Sequence, residues 1–86
     1  MHYAYIIRSK ITGEFYKGIS ENPVSRLREH NEGKTFSTKN KVPYELYYVH
    51  ICVDRNEARQ WEKFFKSGIG REVIKDLGAM AEWYTR

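Results

Sequence analysis

Two short β-prone segments near the start of the chain constrain the fold more than any other feature of the sequence. Residues 3–7 are apolar and follow no helix cap, so they predict a strand with Tyr3 and Tyr5 on one face. Residues 9–14 are mostly polar and include a glycine, which is typical of a turn. Residues 15–19 predict the returning strand, so the chain is expected to open with a β-hairpin.

The hairpin is followed by a strong helix start at Asn22-Pro23, because Asn caps the first turn and Pro at the first helical position loses no hydrogen bond. This helix is predicted to end at Gly33, with Val24 and Leu27 facing inward. Residues 44–53 are rich in β-prone side chains and predict a third strand, which we expect to be central in the sheet.

Asp54 and Glu57 resemble a capping box and predict a second helix, whose apolar residues recur at helical spacing up to Gly68. A third, shorter helix is predicted over residues 71–77. The order β-β-α-β-α-α predicts an α+β domain, with a small three-stranded antiparallel sheet flanked by helices, over residues 1–77. Residues 78–86 show no clear period and are expected to form a C-terminal tail that frays.

Composition narrows the class of protein. The 86 residues suit one domain, and the net charge of +4 favours an anionic partner such as nucleic acid. The single cysteine, Cys52, excludes an internal disulfide framework and a cysteine zinc cluster. No apolar run approaches the ~20 residues of a membrane span, so we expect a cytoplasmic protein without a membrane partner or a small-molecule cofactor.

Each polar candidate has an ordinary explanation when it is taken alone. Tyrosines on a hairpin usually pack in the core or across strands. Arg26 and His30 are four residues apart and share a helix face that is usually solvated. Glu62 lies in an aromatic part of the second helix, where a lone carboxylate is usually at the edge of the apolar stripe.

Taken together, the same groups suit metal-assisted hydrolysis of a phosphodiester. A carboxylate holds a hard cation through oxygen, and the cation polarises the phosphate. An arginine presents two parallel donors to phosphate oxygens, and an imidazole or a phenol takes or relays the proton of the attacking water.

These residues, in this order, resemble the GIY-YIG nucleases. The two half-motifs stand as residues 3–5, Tyr-Ala-Tyr, and residues 16–18, Tyr-Lys-Gly, and are followed by Arg26 and then by Glu62. The resemblance runs from residue 3 to about residue 75. It is strongest to the small stand-alone bacterial members, which share a Ser-Thr-Lys-Asn loop like residues 37–40 and a segment like residues 66–72.

The resemblance implies a role for each matching residue. Tyr5 and Tyr16 are expected at the scissile phosphate, where one of them activates or orients water; which one is left open. Arg26 is implied to stabilise the phosphate, His30 to relay a proton, and Glu62 to be the single protein ligand of one Mg²⁺ or Mn²⁺ ion. Gly18 is expected to allow a close backbone approach, and Tyr3 is given a structural role.

Further residues are predicted to contact nucleic acid, mainly in the polar loop over residues 34–41. The set is Lys17, Arg28, Lys34, Ser37, Thr38, Lys39 and Lys41. Lysines neutralise phosphates and the hydroxyls bond the backbone, although a solvated loop has the same composition. The chain departs from some relatives in having Ile19 where they place a lysine, and in lacking an asparagine downstream of Glu62.

The sequence therefore predicts a metal-dependent endonuclease acting on DNA, selective for structure rather than sequence, since no base-reading element is evident. Two alternatives stay open: a non-catalytic nucleic-acid-binding module on the same fold, and a protein-interaction domain with an adhesive tyrosine face. The oligomeric state and the choice between DNA and RNA are not readable from the sequence.

Overall fold

A computed structural model describes the backbone of residues 1–84 and the side chains of residues 1–77. Its elements are β1 (His2–Ser9), β2 (Phe15–Ser20), α1 (Pro23–Asn31), β3 (Tyr44–Cys52), α2 (Arg55–Lys66) and α3 (Gly68–Tyr84). The three strands form one antiparallel sheet, and the predicted α+β order is confirmed.

Strand β1 is the centre of the sheet, whose order is β2-β1-β3. The prediction that the third strand is central is wrong. Strand β3 is an edge, and its apolar residues Leu46 and Ile51 are 40% and 62% exposed. An edge strand can carry an apolar run as long as a central one, so hydrophobicity alone did not separate the two positions.

The predicted hairpin turn is organised by Ser9, which is buried at the end of β1. Its hydroxyl accepts hydrogen bonds from the backbone N–H groups of Ile11 and Thr12, at 3.2 and 3.1 Å, and donates to the carbonyl of Lys41 at 2.6 Å. Gly13 closes the turn with a φ of +76°, a conformation that favours glycine. One hydroxyl therefore ties the hairpin to the loop before β3.

The alternation of β1 separates two packing layers, as predicted. Ala4 and Ile6 point toward α2 and α3, where they pack in an apolar cluster with Cys52, Ala58, Phe65 and Ile74. Tyr5 and Ile7 point to the opposite face and pack with Tyr44. We call these the apolar face and the tyrosine face of the sheet.

A β-bulge interrupts the pairing of β1 with β3. Ile6 lies opposite Tyr48 but Ile7 lies opposite Leu46, so Tyr47 is an extra residue. Both Tyr47 and Tyr48 consequently pack on the apolar face, and the Tyr47 hydroxyl donates to the carbonyl of Ile74 in α3 at 2.7 Å.

Helix α1 begins as predicted, with the Asn22 side chain accepting from the N–H of Ser25 at 3.1 Å. The predicted inward position of Val24 is wrong, because that side chain is 60% exposed. Pro23 and His30 are the buried residues of the helix, and Leu27 is partly buried between them. The inward stripe thus includes a histidine, a residue type that an apolar pattern passes over.

The end of α1 is fixed to β3 by the side chain of Asn31. Its amide N–H donates to the carbonyl of Tyr44 at 3.0 Å, while its oxygen accepts from the N–H of Tyr44 at 2.7 Å. The side chain therefore pairs with the strand backbone as a neighbouring strand would.

Helix α2 is capped by Asp54, which accepts from the N–H of Glu57 at 2.9 Å, and it buries its aromatic stripe on the apolar face. Helix α3 runs from Gly68 to Tyr84, so the prediction of a shorter third helix is wrong. The predicted boundary between residues 77 and 78 falls within α3, and residues 85–86 lie outside the described part of the chain. Over the described residues, no helix has the length and apolar character needed to cross a bilayer.

Candidate active site

The tyrosine face brings together Tyr5 of β1 and His30 of α1, which are 25 residues apart in sequence. The Tyr5 hydroxyl lies 3.0 Å from His30 Nε2. Both side chains are buried away from water, so the Tyr5 hydroxyl and His30 Nε2 satisfy each other's need for a hydrogen-bond partner. The expected association of the first half-motif with His30 is a direct contact.

The other ring nitrogen of His30 is occupied by Thr38. His30 Nδ1 lies 2.8 Å from Thr38 Oγ1, and that hydroxyl in turn donates to the carbonyl of Thr35 at 3.4 Å. In the tautomer in which the Thr38 hydroxyl donates to this carbonyl, the hydroxyl oxygen accepts from His30, and Nδ1 carries the ring proton. Nε2 is then an unprotonated acceptor that faces the Tyr5 hydroxyl.

Burial sets the protonation state of this pair. Burial lowers the pKa of His30, the Arg26 cation lowers it further, and Glu29 partly opposes both. Burial, reinforced by Tyr16, raises the pKa of Tyr5 to about 12, although Arg26 acts in the opposite direction. At neutral pH the pair is a neutral phenol donating to a neutral imidazole.

Gly18 is what allows Tyr5 to lie where it does. The two residues are directly opposite in the β1–β2 pairing, and a Cβ atom at Gly18 would lie 2.6 Å from the Tyr5 hydroxyl oxygen. The close approach expected at this glycine is therefore made by the phenol of the other half-motif.

Tyr16 completes the aromatic part of the site from β2. Its ring packs edge-on against His30, with centroids 4.9 Å apart, and lies 6.5 Å from the ring of Tyr5. Tyr3 lies on the same face of β1, opposite Ser20, and is partly buried. The hairpin tyrosines Tyr5 and Tyr16 thus pack, as the ordinary explanation holds, and at the same time both contact the histidine.

Arg26 lies one helical turn before His30. Its Nη1 atom is 2.7 Å from Glu29 Oε2, and the hydrogen bond to Glu29 is the main cause that raises the pKa of Arg26. The two side chains are about one third and one half exposed, so the pair is open to solvent. Glu29 is not among the residues predicted for the site, although its position three residues after Arg26 places the two side chains on the same face of the helix.

Glu62 reaches the same region from α2. Burial and Tyr16 are the main causes that raise the pKa of Tyr5, and the negative charge of Glu62 adds a smaller effect in the same direction. Glu62 Oε2 is 3.5 Å from Lys66 Nζ, and its side chain is 22% exposed. Helix α2 packs on the apolar face, so Glu62 approaches Tyr5 from a different layer than Arg26 and His30 do.

A single accessible carboxylate fits a hard divalent ion that keeps most of its water. Within the residues whose side chains are described, no three His, Cys, Asp or Glu side chains converge as a ready-made metal cage. Glu62 is the residue that would hold such an ion, and the ion would supply polarisation of the phosphate.

The predicted nucleic-acid contacts divide into two groups. The prediction is wrong for Thr38, which is fully buried and bonded to His30. The others are exposed or partly exposed: Lys17, Arg28, Lys34, Ser37, Lys39 and Lys41. Lys34 pairs with Glu32 at 3.2 Å and Lys41 with Glu14 at 3.1 Å, and the Lys39 ammonium lies 4.8 Å from the ring centroid of the exposed Phe36.

The family of the chain follows from three comparisons. The model of the GIY-YIG catalytic domain matches residues 1–71. A UPF0213 protein of Bacillus pumilus is 36% identical to this chain over 77 residues, which cover 88% of this chain and 76% of that protein. A UPF0213 protein of Bacillus licheniformis is 35% identical over 66 residues, covering 76% of this chain and 67% of the relative.

A solved structure shows the same fold. The solution NMR structure of the UPF0213 protein BH0048 from Bacillus halodurans superposes with a TM-score of 0.53 and 29% identity, covering 88% of this chain and 83% of that one. The family model spans both half-motifs, Arg26, His30 and Glu62. The chain belongs to the GIY-YIG family, whose members are nucleases that act on nucleic acids and generally use a divalent metal.

Proposed function

We propose that this protein is a metal-dependent endonuclease that hydrolyses phosphodiester bonds of DNA and selects its substrate by structure. The observation that carries the proposal is the chain of hydrogen bonds from Tyr5 through His30 to Thr38, with Arg26 one helical turn away. This arrangement prepares a phenol oxygen to accept a proton beside a cation suited to phosphate.

Tyr5 is the general base in this proposal, and His30 is its proton acceptor. As the attacking water forms its bond to phosphorus, it gives a proton to the Tyr5 oxygen, and Tyr5 passes its own proton to His30 Nε2. No phenolate forms, which matters because the pKa of Tyr5 is raised to about 12. The mechanism uses the tautomer in which His30 Nδ1 donates to Thr38, which leaves Nε2 free to receive the proton.

Arg26 and Glu62 serve the phosphate. The Arg26 guanidinium donates to its non-bridging oxygens as negative charge accumulates, and Glu29 orients that guanidinium. Glu62 would hold the Mg²⁺ or Mn²⁺ ion, which would supply electrostatic stabilisation of the leaving oxygen. The bond from phosphorus to that oxygen breaks, and the oxygen takes a proton from solvent.

Preference for structure over sequence is supported by what surrounds the site. Apart from Phe36, the exposed side chains of the loop over residues 34–41 are lysine, serine and asparagine, residue types that commonly contact phosphate and sugar. Branched, flapped and single-stranded DNA are therefore the substrates to compare first.

Cleavage of labelled branched, single-stranded and duplex DNA tests the proposal. Wild type and Glu62→Gln are assayed with Mg²⁺, with Mn²⁺ and with a chelator. Glu45→Gln is the matched control, because it removes an exposed carboxylate from the outer strand β3. We expect product that requires metal and falls about 100-fold or more in Glu62→Gln, as for loss of a main electrostatic stabiliser.

Other outcomes assign the protein elsewhere. Salt-sensitive binding without product in any metal would identify a non-catalytic binding module. Absence of both binding and cleavage, with a stable partner complex instead, would identify a protein-interaction domain. Full activity in Glu62→Gln would refute the mechanism.

A further inference from the structure

A second group of cations includes Lys66, whose Nζ atom lies 3.5 Å from Glu62 Oε2. It comprises Lys17 of β2, Lys66 at the end of α2 and Arg71 in the first turns of α3, and we call it the junction cluster. Lys17 lies opposite Ile6 and so points to the face that α2 covers. Burial, followed by the charges of Arg71 and Lys66, lowers the pKa of Lys17, as expected for three neighbouring cations.

The junction between α2 and α3 fixes two of these cations relative to each other. Ser67 ends α2, and its hydroxyl accepts from the N–H of Gly70 at 3.1 Å while its carbonyl accepts from the N–H of Arg71 at 3.0 Å. A Cβ atom at Gly70 would overlap the carbonyl group of Phe64, so the two helices are in direct backbone contact there. Lys66 and Arg71 are therefore carried on one rigid corner.

The junction cluster is short of negative charge. Among the described side chains, the carboxylate that pairs with it is Glu62, 3.5 Å from Lys66. Glu62 is also the side chain that would hold the divalent ion, and a carboxylate that turns to a metal no longer neutralises the lysine. The three like charges are then without a carboxylate partner, and a surface of one sign of charge attracts an anion.

We propose that the junction cluster binds a backbone phosphate of the DNA strand next to the phosphate that is cut, with Lys66 exchanging Glu62 for that phosphate. The proposal rests on the nuclease function above and adds a second anchoring point to it. Arg26 is carried by α1, and the junction cluster is carried by β2 and the corner between α2 and α3, so the strand is held at two separate points. Because Lys66 neighbours Glu62, one of these points lies beside the metal position, and occupancy of Glu62 by metal strengthens the hold.

The first test measures DNA binding in chelator, where no cleavage occurs. Affinity for a labelled duplex is measured from low to moderate salt for wild type, Lys66→Gln, Arg71→Gln and Lys17→Gln. Each substitution that removes a phosphate contact should lower the slope of log affinity against log salt by about 0.9. Lys75→Gln, which removes an exposed α3 cation 3.7 Å from Glu72, is the matched control and should leave the slope unchanged.

The second test separates exchange from simple attraction. Glu62→Gln should strengthen binding in chelator and steepen the slope by up to about 0.9, because Lys66 loses its carboxylate partner. The double variant Glu62→Gln/Lys66→Gln should show less of this gain than additivity predicts. Lys66 and Arg71 are exposed, so their variants are expected to fold, and thermal unfolding verifies this.

The outcomes distinguish this proposal from the proposed function. Unchanged slopes in Lys66→Gln and Arg71→Gln would overturn the junction cluster even if metal-dependent cleavage is found. Reduced slopes without cleavage in any metal would support the cluster as a phosphate site and would count against the nuclease. A gain in Glu62→Gln that persists in the double variant would overturn the exchange.

Discussion

The two faces of the sheet are built from the same strand and differ in what they bury. On the apolar face, β1 contributes Ala4 and Ile6 to a cluster of aliphatic and aromatic side chains. On the tyrosine face, the alternate residues bury Tyr5 against a histidine that is hydrogen-bonded at both ring nitrogens. Burial of apolar groups stabilises the fold through an interaction that has no preferred direction, whereas each buried polar atom needs a hydrogen-bond partner in the right position.

This difference indicates which face of the sheet tolerates substitution and which does not. On the apolar face, stability should depend on the volume of the buried side chains. Variants there should therefore lose stability, while the protein that remains folded keeps its activity. On the tyrosine face, activity should depend on individual hydrogen-bonding atoms. Variants there should therefore lose activity more than stability.

Phe65→Ala should lower the free energy of unfolding by about 3–5 kcal/mol, because Phe65 is 2% exposed at the centre of the apolar cluster. Urea denaturation measures the loss, and cleavage by the remaining folded protein should be close to wild type. A change below about 1 kcal/mol would show that the apolar face is not the main source of stability.

Gly18→Ala should reduce cleavage about 100-fold, since the added Cβ forces the Tyr5 hydroxyl away from His30. Single-turnover rates at saturating substrate measure the effect. Gly68→Ala is the control, because no atom lies within 4 Å of a Cβ there. Equal activity in both variants would mean that the position of Tyr5 is not critical.

Thr38→Val should reduce cleavage about 10-fold and cost about 1–2 kcal/mol of stability, since it leaves His30 Nδ1 without a partner in a buried site. Ser37→Ala, one residue earlier and exposed, should change neither quantity. Thr38→Ser, which keeps a hydroxyl to bond His30 Nδ1, should retain more activity than Thr38→Val.

Stability should fall with decreasing pH because of His30, by less than in the preceding cases. Since the folded pKa of His30 is lowered, the unfolded chain binds a proton first, and the contribution of His30 is full above about pH 6.5. It is lost as the pH falls from there through the folded pKa. Urea denaturation of wild type and His30→Gln at several pH values checks this, and parallel curves would contradict it.

The smallest effect concerns α1. Val24→Ala should alter the free energy of unfolding by less than about 0.5 kcal/mol, because Val24 is exposed. Leu27→Ala, on the inward side of the same helix, should cost about 2 kcal/mol. Equal losses would mean that α1 is rotated relative to the sheet from the orientation described.

Much of the fold was predictable because its signals are local. The alternation of residues 3–7 and the Asn22-Pro23 start were both confirmed. The central position of β1 was not, since it depends on pairing between segments far apart in sequence. The inward stripe of α1 was misread because its third member, His30, is polar.

The candidate site divides in the same way. Tyr5, His30 and Tyr16 were identified through an ordered motif, and the structure brings them into contact. Thr38 was assigned to the surface because its neighbours are polar, and only the folded loop shows that its hydroxyl turns inward. A threonine in a lysine-rich loop carries no local signal of burial.

The extra residue Tyr47 changes which residues of β3 face each side of the sheet. Before it, the side chains on the tyrosine face are those of even-numbered residues, Tyr44 and Leu46; after it, they are those of odd-numbered residues, Val49 and Ile51. The parity of the strand therefore changes once, between the end held by Asn31 and the end that packs beside Tyr5. Deletion of this one residue would make Leu46 and Tyr48 consecutive, so β3 would become a regular strand while both of its ends kept their present pairing with β1. The extra residue is therefore retained for its own side chain, which packs on the apolar face and bonds to α3, and not for the register of the sheet.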